Sequence, residues 1–213
     1  MVMGDLVLLD EEVPAVMSGL FEGGMEITAV HNHVNQVSPH VLYMHYMGHG
    51  DPVSLATTLH GALSASGTPL DNAPAASPPA SSELDTAAIE AALGRSGRLM
   101  GGDVFQFTIP RAETITEMGM ELLPAMGIAT VLNFQPIGNG RAAITGDFVL
   151  LGLEVNPVAS TLRQSGVEVT ALHNHGLADQ PRLFYMHFWG TGEAAQLAQG
   201  FRSALNQTNV RAS

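Results

Sequence analysis

The chain of 213 residues contains no cysteine and no lysine, and acidic residues far outnumber basic ones. Without cysteine, disulfides, thiolate catalysis and Cys-based zinc or iron–sulfur sites are excluded. Without lysine, Schiff-base chemistry is excluded. The 20 Asp and Glu residues against 8 basic ones give a net charge of −12. This charge repels phosphate backbones and anionic lipid surfaces, so we expect no nucleic-acid partner.

Long apolar runs and familiar catalytic motifs are also missing. No apolar run reaches the roughly 18 residues that a membrane span needs, and the first residues lack the basic and apolar regions of a signal peptide. The chain has no P-loop, no Gly-x-Ser-x-Gly elbow and no His-Glu-x-x-His helix, which disfavours nucleotide hydrolysis, serine esterase chemistry and zincin-type proteolysis. The hydrophobic content of 46% still predicts a folded globular protein.

A histidine-rich stretch occurs twice. Residues 26–33 read Glu-Ile-Thr-Ala-Val-His-Asn-His, and residues 168–175 read Glu-Val-Thr-Ala-Leu-His-Asn-His; each is followed ten residues later by Tyr-Met-His. Shifted by 142 residues, the segment 4–63 aligns without a gap on 146–205, with about 27 of the 60 positions identical. The sequence therefore contains an internal duplication.

The alternation of apolar patterns predicts an α+β fold built from two β-α-β-β-α units, as in ferredoxin-like sandwiches of mixed sheet and helices. We place a first repeat at 1–65, an Ala/Ser/Pro-rich linker at 66–83 and a second repeat at 84–213. Because 84–145 have no counterpart before Met1, we expect the first repeat to lack its N-terminal half. A homodimer would cover the sheet edge that this leaves exposed.

The histidines of each hairpin are candidate metal ligands. If the first hairpin closes around residue 37, His31 lies opposite Tyr43 and His45 lies opposite Ala29, so that three imidazoles share one face. Three neutral imidazoles with an open fourth position suit zinc. The predicted ligand sets, one per repeat, are His31, His33 and His45, and His173, His175 and His187.

Other side chains near the histidines have less defined roles. Tyr185 and Glu168 are the candidate catalytic residues, although Tyr185 could equally serve packing. By alternation Glu26 faces away from His31 unless a bulge intervenes, so Glu26 and Glu168 are assigned a supporting role. Met44 and Met186 make copper the alternative metal, but alternation directs both into the core.

Several longer motifs resemble the LppY/LpqO family, bacterial proteins that carry a domain of unknown function, usually in two tandem copies. The motifs are Ala-Leu-Gly-Arg at 92–95, Gly-Arg-Leu-Met-Gly-Gly at 97–102, Phe-Thr-Ile-Pro-Arg-Ala-Glu at 107–113, Pro-Ala-Met-Gly at 124–127, the stretch 142–150, Val-Thr-Ala-Leu-His-Asn-His at 169–175 and Leu-Phe-Tyr-Met-His-Phe-Trp at 183–189. The resemblance implies an extracytoplasmic, lipoprotein-like protein. It implies no reaction, and without a signal peptide the chain would otherwise be cytoplasmic.

The sequence predicts a metal-binding protein, with zinc as the metal, whose open site could support a metal-dependent hydrolase. The alternative is a metal-free module for a small polar ligand or a cell-envelope component, with the histidines contacting the ligand or stabilising the hairpin. Whether the protein is an enzyme is left open by the sequence.

Overall fold

The structure is a computed structural model that describes residues 1–70 and 82–211. Among these residues there are five α-helices and twelve β-strands in three mostly antiparallel sheets, which confirms the α+β class. The chain divides into two compact units, Met1–Ala73 with His173–Leu177, and Pro74–Leu172 with Ala178–Ser213. The predicted linker at 66–83 lies mostly outside the described residues.

The first unit has the predicted β-α-β-β-α order: β1 (Val2–Leu9), α1 (Val13–Glu22), β2 (Glu26–His31), β3 (Val41–Gly48) and α2 (Pro52–Leu63). Its three strands form an antiparallel sheet in the order β1-β3-β2. One face packs on the two helices through Leu8, Val16, Leu20 and Met44, all almost fully buried. The other face is therefore left to carry the histidines.

The second unit contains the longer elements. They are α3 (Thr86–Leu93), β4 (Arg98–Leu99), β5 (Phe105–Pro110), β6 (Ile115–Glu117), β7 (Met120–Leu122), β8 (Ala129–Pro136), β9 (Arg141–Leu151), α4 (Val155–Gln164), β10 (Glu168–His173), β11 (Asp179–Gln180), β12 (Leu183–Glu193) and α5 (Ala194–Leu205). A six-stranded sheet has the order β10-β12-β9-β8-β5-β4, and a small sheet has the order β11-β6-β7. Phenylalanines on one face of the larger sheet pack with α3, α4 and α5 into one core.

The duplication is visible in the element boundaries. Shifted by 142 residues, the bounds of α1, β2 and α2 coincide with those of α4, β10 and α5. Aspartate caps two of the helices: Asp51 accepts a hydrogen bond from the Ser54 amide before α2, and Asp85 accepts one from the Ala88 amide before α3. The short strands β4, β6, β7 and β11 were not predicted, because two or three residues carry too little alternation to be recognised.

No helix in the described part of the chain combines the length and the apolar character needed to cross a bilayer.

Candidate metal centre

The first hairpin pairs in the predicted register. Ala29 lies opposite His45 and His31 lies opposite Tyr43 across β2 and β3. Residues opposite each other in an antiparallel pair share a face, so His31 and His45 lie on the face turned away from the helices. The predicted register and shared face of these two histidines agree with the structure, and their role as metal ligands stays a prediction.

The second histidine of each His-Asn-His motif lies outside the strands. We predicted a strand that includes His33, but β2 ends at His31 and β10 ends at His173. The asparagine between the histidines turns the chain: the Asn174 amide donates to the Gly176 carbonyl oxygen at 2.7 Å, and the Asn32 amide lies 3.2 Å from Asn35 Oδ1. A side chain bonding two or three residues ahead competes with strand pairing, which is a signal that sequence reasoning missed.

Five imidazoles gather in the first unit, which includes the segment His173–Leu177. The ring centroids of His31 and His173 are 3.6 Å apart and those of His45 and His175 are 3.8 Å apart, and both pairs are stacked. His31 lies 5.0 Å from both His33 and His45. The structure thus brings together histidines from both predicted ligand sets, where the sequence predicted one set per repeat.

One grouping of candidate ligand atoms is formed by His31, His45 and His173, with one ring nitrogen of each within 4.8 Å of the other two. Zinc–nitrogen bonds of 2.0–2.1 Å in a tetrahedron place the nitrogens about 3.3 Å apart. Side-chain movements of roughly 1.5 Å or less would therefore complete a three-histidine site. The donor set is all imidazole, which suits zinc and leaves a fourth position for water or substrate.

Asp5 joins the cluster, although it was not among the predicted ligands. It lies opposite His45 on β1, and its Oδ2 is 3.7 Å from His33 Nε2 and 3.9 Å from His45 Nε2. Burial raises the pKa of its carboxyl to about 7, even though a third of the side chain stays exposed. The recurrence of Gly-Asp at 4–5 and 146–147 was the available signal, and the pairing of β1 with β3 supplies the reason for it.

An aromatic side chain, Tyr43, borders the sheet face that carries His31 and His45. The Tyr43 ring stacks on His33 with centroids 3.4 Å apart and an angle of 7° between the planes. Burial, together with the negative charge of Asp5, raises the pKa of the Tyr43 hydroxyl, so that it stays protonated at neutral pH. Tyr43 is therefore able to donate a hydrogen bond at this face.

Glu26 and the methionines take different places. A bulge between Ile27 and Ala29 brings Glu26 opposite Met47, on the histidine face, where the side chain is exposed. The strict alternation that placed Glu26 on the opposite face is thus overturned by the bulge. Met44 and Met186 lie in the hydrophobic cores of their own units, as alternation predicted, so their sulfurs do not face the histidines.

The remaining predicted site residues lie in the second unit. His187 is 4% exposed on β12, opposite Asp147, and its Nδ1 is 3.0 Å from the Gly146 carbonyl oxygen. Burial lowers the pKa of His187 to about 4, and the hydrogen bond opposes part of that shift. Tyr185 is fully buried, and burial, reinforced by nearby carboxylates, raises its pKa well above 10. Glu168 is exposed at the start of β10.

A comparison with protein families finds a match over residues 1–65 and 87–207, to a family described as Domain of Unknown Function (DUF1259). The matched segments cover most of the chain. The chain belongs to the DUF1259 family. Both histidine-rich stretches of this DUF1259 chain fall inside the matched segments. A comparison with curated proteins found no match.

Proposed function

We propose that this DUF1259 protein binds a transition metal ion, zinc in the first place, at the histidine cluster of its first unit. The observation that carries the proposal is the approach of one ligand atom each from His31, His45 and His173 to within 4.8 Å of one another. The ligands come from both predicted sets, which makes a single shared site our preferred form of the proposal. Copper, the alternative, would also be bound by imidazoles alone, because Met44 lies in the core.

The electrostatic setting supports a cation. Asp5 contributes a carboxylate beside His33 and His45. Leaving histidines aside, two basic side chains form ion pairs among the described residues, those of Arg111 and Arg182. Both belong to the second unit. A metal ion would supply the positive charge that this arrangement of imidazoles beside one acidic side chain favours.

The test is zinc binding by protein purified without a chelator and without a polyhistidine tag. We expect about one zinc per chain by elemental analysis, and a loss of at least 100-fold in affinity in a competition titration when His31→Ala and His173→Ala are combined. His40→Ala with His60→Ala is the matched control, because both side chains are exposed. Equal zinc affinity in the two double variants, both shown to be folded by circular dichroism, would remove the proposal.

A hydrolytic reaction is the enzymatic extension of the proposal. With three histidine ligands, the fourth position would hold a water whose pKa the metal lowers to roughly 7. Asp5 and Tyr43 border the cluster and are the side chains placed to accept or donate a proton, whereas Tyr185 and Glu168, the candidates predicted from the sequence, lie in the second unit. Asp5→Asn should abolish zinc-dependent hydrolysis of an activated ester while zinc stays bound.

The second candidate function is a metal-free module that binds a small polar ligand through the same face. The stacking of Tyr43 on His33 favours it, since this pair offers a flat aromatic surface with polar edges. Elemental analysis separates the two functions directly. A protein that carries no transition metal and shows no zinc affinity would leave this candidate standing alone.

We also infer an extracytoplasmic location, supported by the LppY/LpqO-like motifs within the DUF1259 match. Cell fractionation with an antibody against the native protein tests it. Recovery from the cytoplasmic fraction alone would contradict it.

A further inference from the structure

A transverse row of side chains crosses the outer face of the six-stranded sheet in the second unit. The register places Trp189 opposite Thr145, Thr145 opposite Asn133, Asn133 opposite Gln106, and Gln106 opposite Arg98. Five strands at a spacing of about 4.8 Å make the row roughly 19 Å long. The row lies on the face opposite the phenylalanine core, because the neighbouring residues Phe105, Phe134 and Phe188 belong to that core.

Three of the five side chains of this row, those of Arg98, Gln106 and Asn133, are hydrogen-bonded to one another. Gln106 Nε2 donates to Asn133 Oδ1 at 2.9 Å, and Arg98 donates to Gln106 Oε1 at 3.2 Å. Beyond these two bonds, Gln106 keeps one N–H and one oxygen lone pair, and Asn133 keeps both N–H groups and one oxygen lone pair. The row therefore presents an ordered set of donors and acceptors whose geometry is set before any ligand arrives.

Two surface cavities lie along the row, one at each end. One cavity of about 290 Å³ is lined by Trp189, Thr145 and Asn133 together with residues around Met100. A second, of about 300 Å³, is lined by Gln106, Arg98 and Thr108. Their volumes are at the lower end of the roughly 300–1,000 Å³ range of small-molecule pockets. Trp189 is only half-buried there, and it is the single tryptophan of the chain.

A polar sheet face turned to water is ordinary in antiparallel sheets. This one differs because a partly exposed indole, two amides bonded to each other and a guanidinium follow one line. Sugar rings match such a line, since their C–H faces stack on an indole while their hydroxyls exchange hydrogen bonds with amides. Nucleic acid, which also stacks on aromatic rings, is disfavoured by the net charge of −12.

We propose that the row from Trp189 to Arg98 binds an oligosaccharide of three or four pyranose units. One sugar stacks on Trp189, the central sugars hydrogen-bond to Asn133 and Gln106, and Arg98 contacts the last unit. Arg98 gives a preference for a sugar that carries a carboxylate at that end. The proposal does not depend on the metal site, because the row lies wholly in the second unit.

The fluorescence of Trp189 reports binding directly, since no other tryptophan contributes. We expect a saturable change in its emission with at least one of three probes, namely cellotetraose, chitotetraose and tetragalacturonate. Gln106→Ala combined with Asn133→Ala should weaken binding at least tenfold, and Arg98→Ala should weaken only tetragalacturonate.

Gln164→Ala is the matched control, because Gln164 is an exposed amide on α4, outside the row, that bonds to Ser160 on the same helix. It should bind the probes as the unaltered protein does. Absence of a saturable signal with all three probes at millimolar concentration, confirmed by calorimetry, would overturn the proposal. So would equal affinity in the amide double variant and in Gln164→Ala, with both variants shown to be folded.

Discussion

At the scale of single residues, Arg111 is the most heavily bonded buried charge that the described residues contain. Its guanidinium is almost fully buried, and it donates to both oxygens of Glu154, to both oxygens of Glu113 and to the Val149 carbonyl oxygen. Burial and the hydrogen bonds act in opposite directions on the Arg111 pKa, and the hydrogen bonds and charges of the two glutamates raise it overall. Arg111 therefore stays charged, and it neutralises a buried carboxylate.

Arg111→Met should destabilise the protein by about 3–5 kcal/mol, because it leaves Glu154 charged and uncompensated in the interior. Urea unfolding at pH 7 measures the loss. Arg141→Met is the control, since Arg141 is exposed, and should stay within about 0.5 kcal/mol of the unaltered protein. Similar stabilities for the two variants would mean that the buried network contributes nothing.

His187 should make stability depend on pH. Its folded pKa of about 4 lies below the ordinary value of 6.5, so the unfolded chain binds the proton more tightly. The stabilisation is complete above pH 6.5 and is lost as the pH falls towards 4, with a total of up to about 3 kcal/mol. Urea unfolding in the presence of a chelator, compared at pH 7 and pH 4.5, measures this.

The variant His187→Asn should lose that part of the pH dependence, because asparagine does not titrate. His60→Asn, at an exposed position on α2, should keep the full dependence. If His187→Asn loses as much stability between the two pH values as the unaltered protein does, the buried histidine is not the cause.

At the scale of elements, β9 requires a glycine at position 146, where it pairs with β8. Gly146 has a φ of +153°, and a Cβ at this position would lie 1.9 Å from the Val131 carbonyl oxygen. Gly146→Ala should therefore cost about 1–3 kcal/mol from overpacking, with backbone strain added. Gly152→Ala is the control, because there the nearest atom would be at an ordinary 3.5 Å. Thermal unfolding of both variants tests the difference, and equal midpoints would contradict it.

Much of the fold could be predicted from short-range sequence patterns. The capping residues Asp51 and Asp85, the helices of each unit and the pairing of His31 with Tyr43 all depend on residues close in sequence. The bulge before Ala29 was not readable, because it depends on how β2 meets β3 rather than on the composition of β2. The early ends of β2 and β10 were missed because the Asn32 and Asn174 amides donate to backbone carbonyls two residues ahead, at Val34 and Gly176.

The candidate site was predictable in its residue types but not in its grouping. Alternation correctly places His31 and His45 on one face, yet no periodicity reveals that His173 and His175 stack on them at 3.6–3.8 Å. The proximity of Asp5 to His45 likewise requires the pairing of β1 with β3. Contacts between residues far apart in the chain are set by tertiary packing, which a single sequence does not display.

At the scale of the whole molecule, the two units have separate hydrophobic cores. A ligand that binds only the folded state stabilises it by mass action, so zinc at 100 times its dissociation constant should add about 2.7 kcal/mol. We expect calorimetry to show a transition that moves up by several degrees with zinc and returns with a chelator. His173→Ala should remove the shift and His60→Ala should retain it; a shift of equal size in both would place the zinc elsewhere.

The predicted homodimer remains a prediction, with β1 and β2 as the edge strands of the first sheet.

Anomalous diffraction at the zinc edge tests the metal centre most directly. The crystals are grown from protein purified without a chelator and without a polyhistidine tag. We expect one strong peak at about 2 Å from a ring nitrogen of each of His31, His45 and His173. A map that shows no peak at these three histidines, even after the crystals are soaked in zinc, would contradict it.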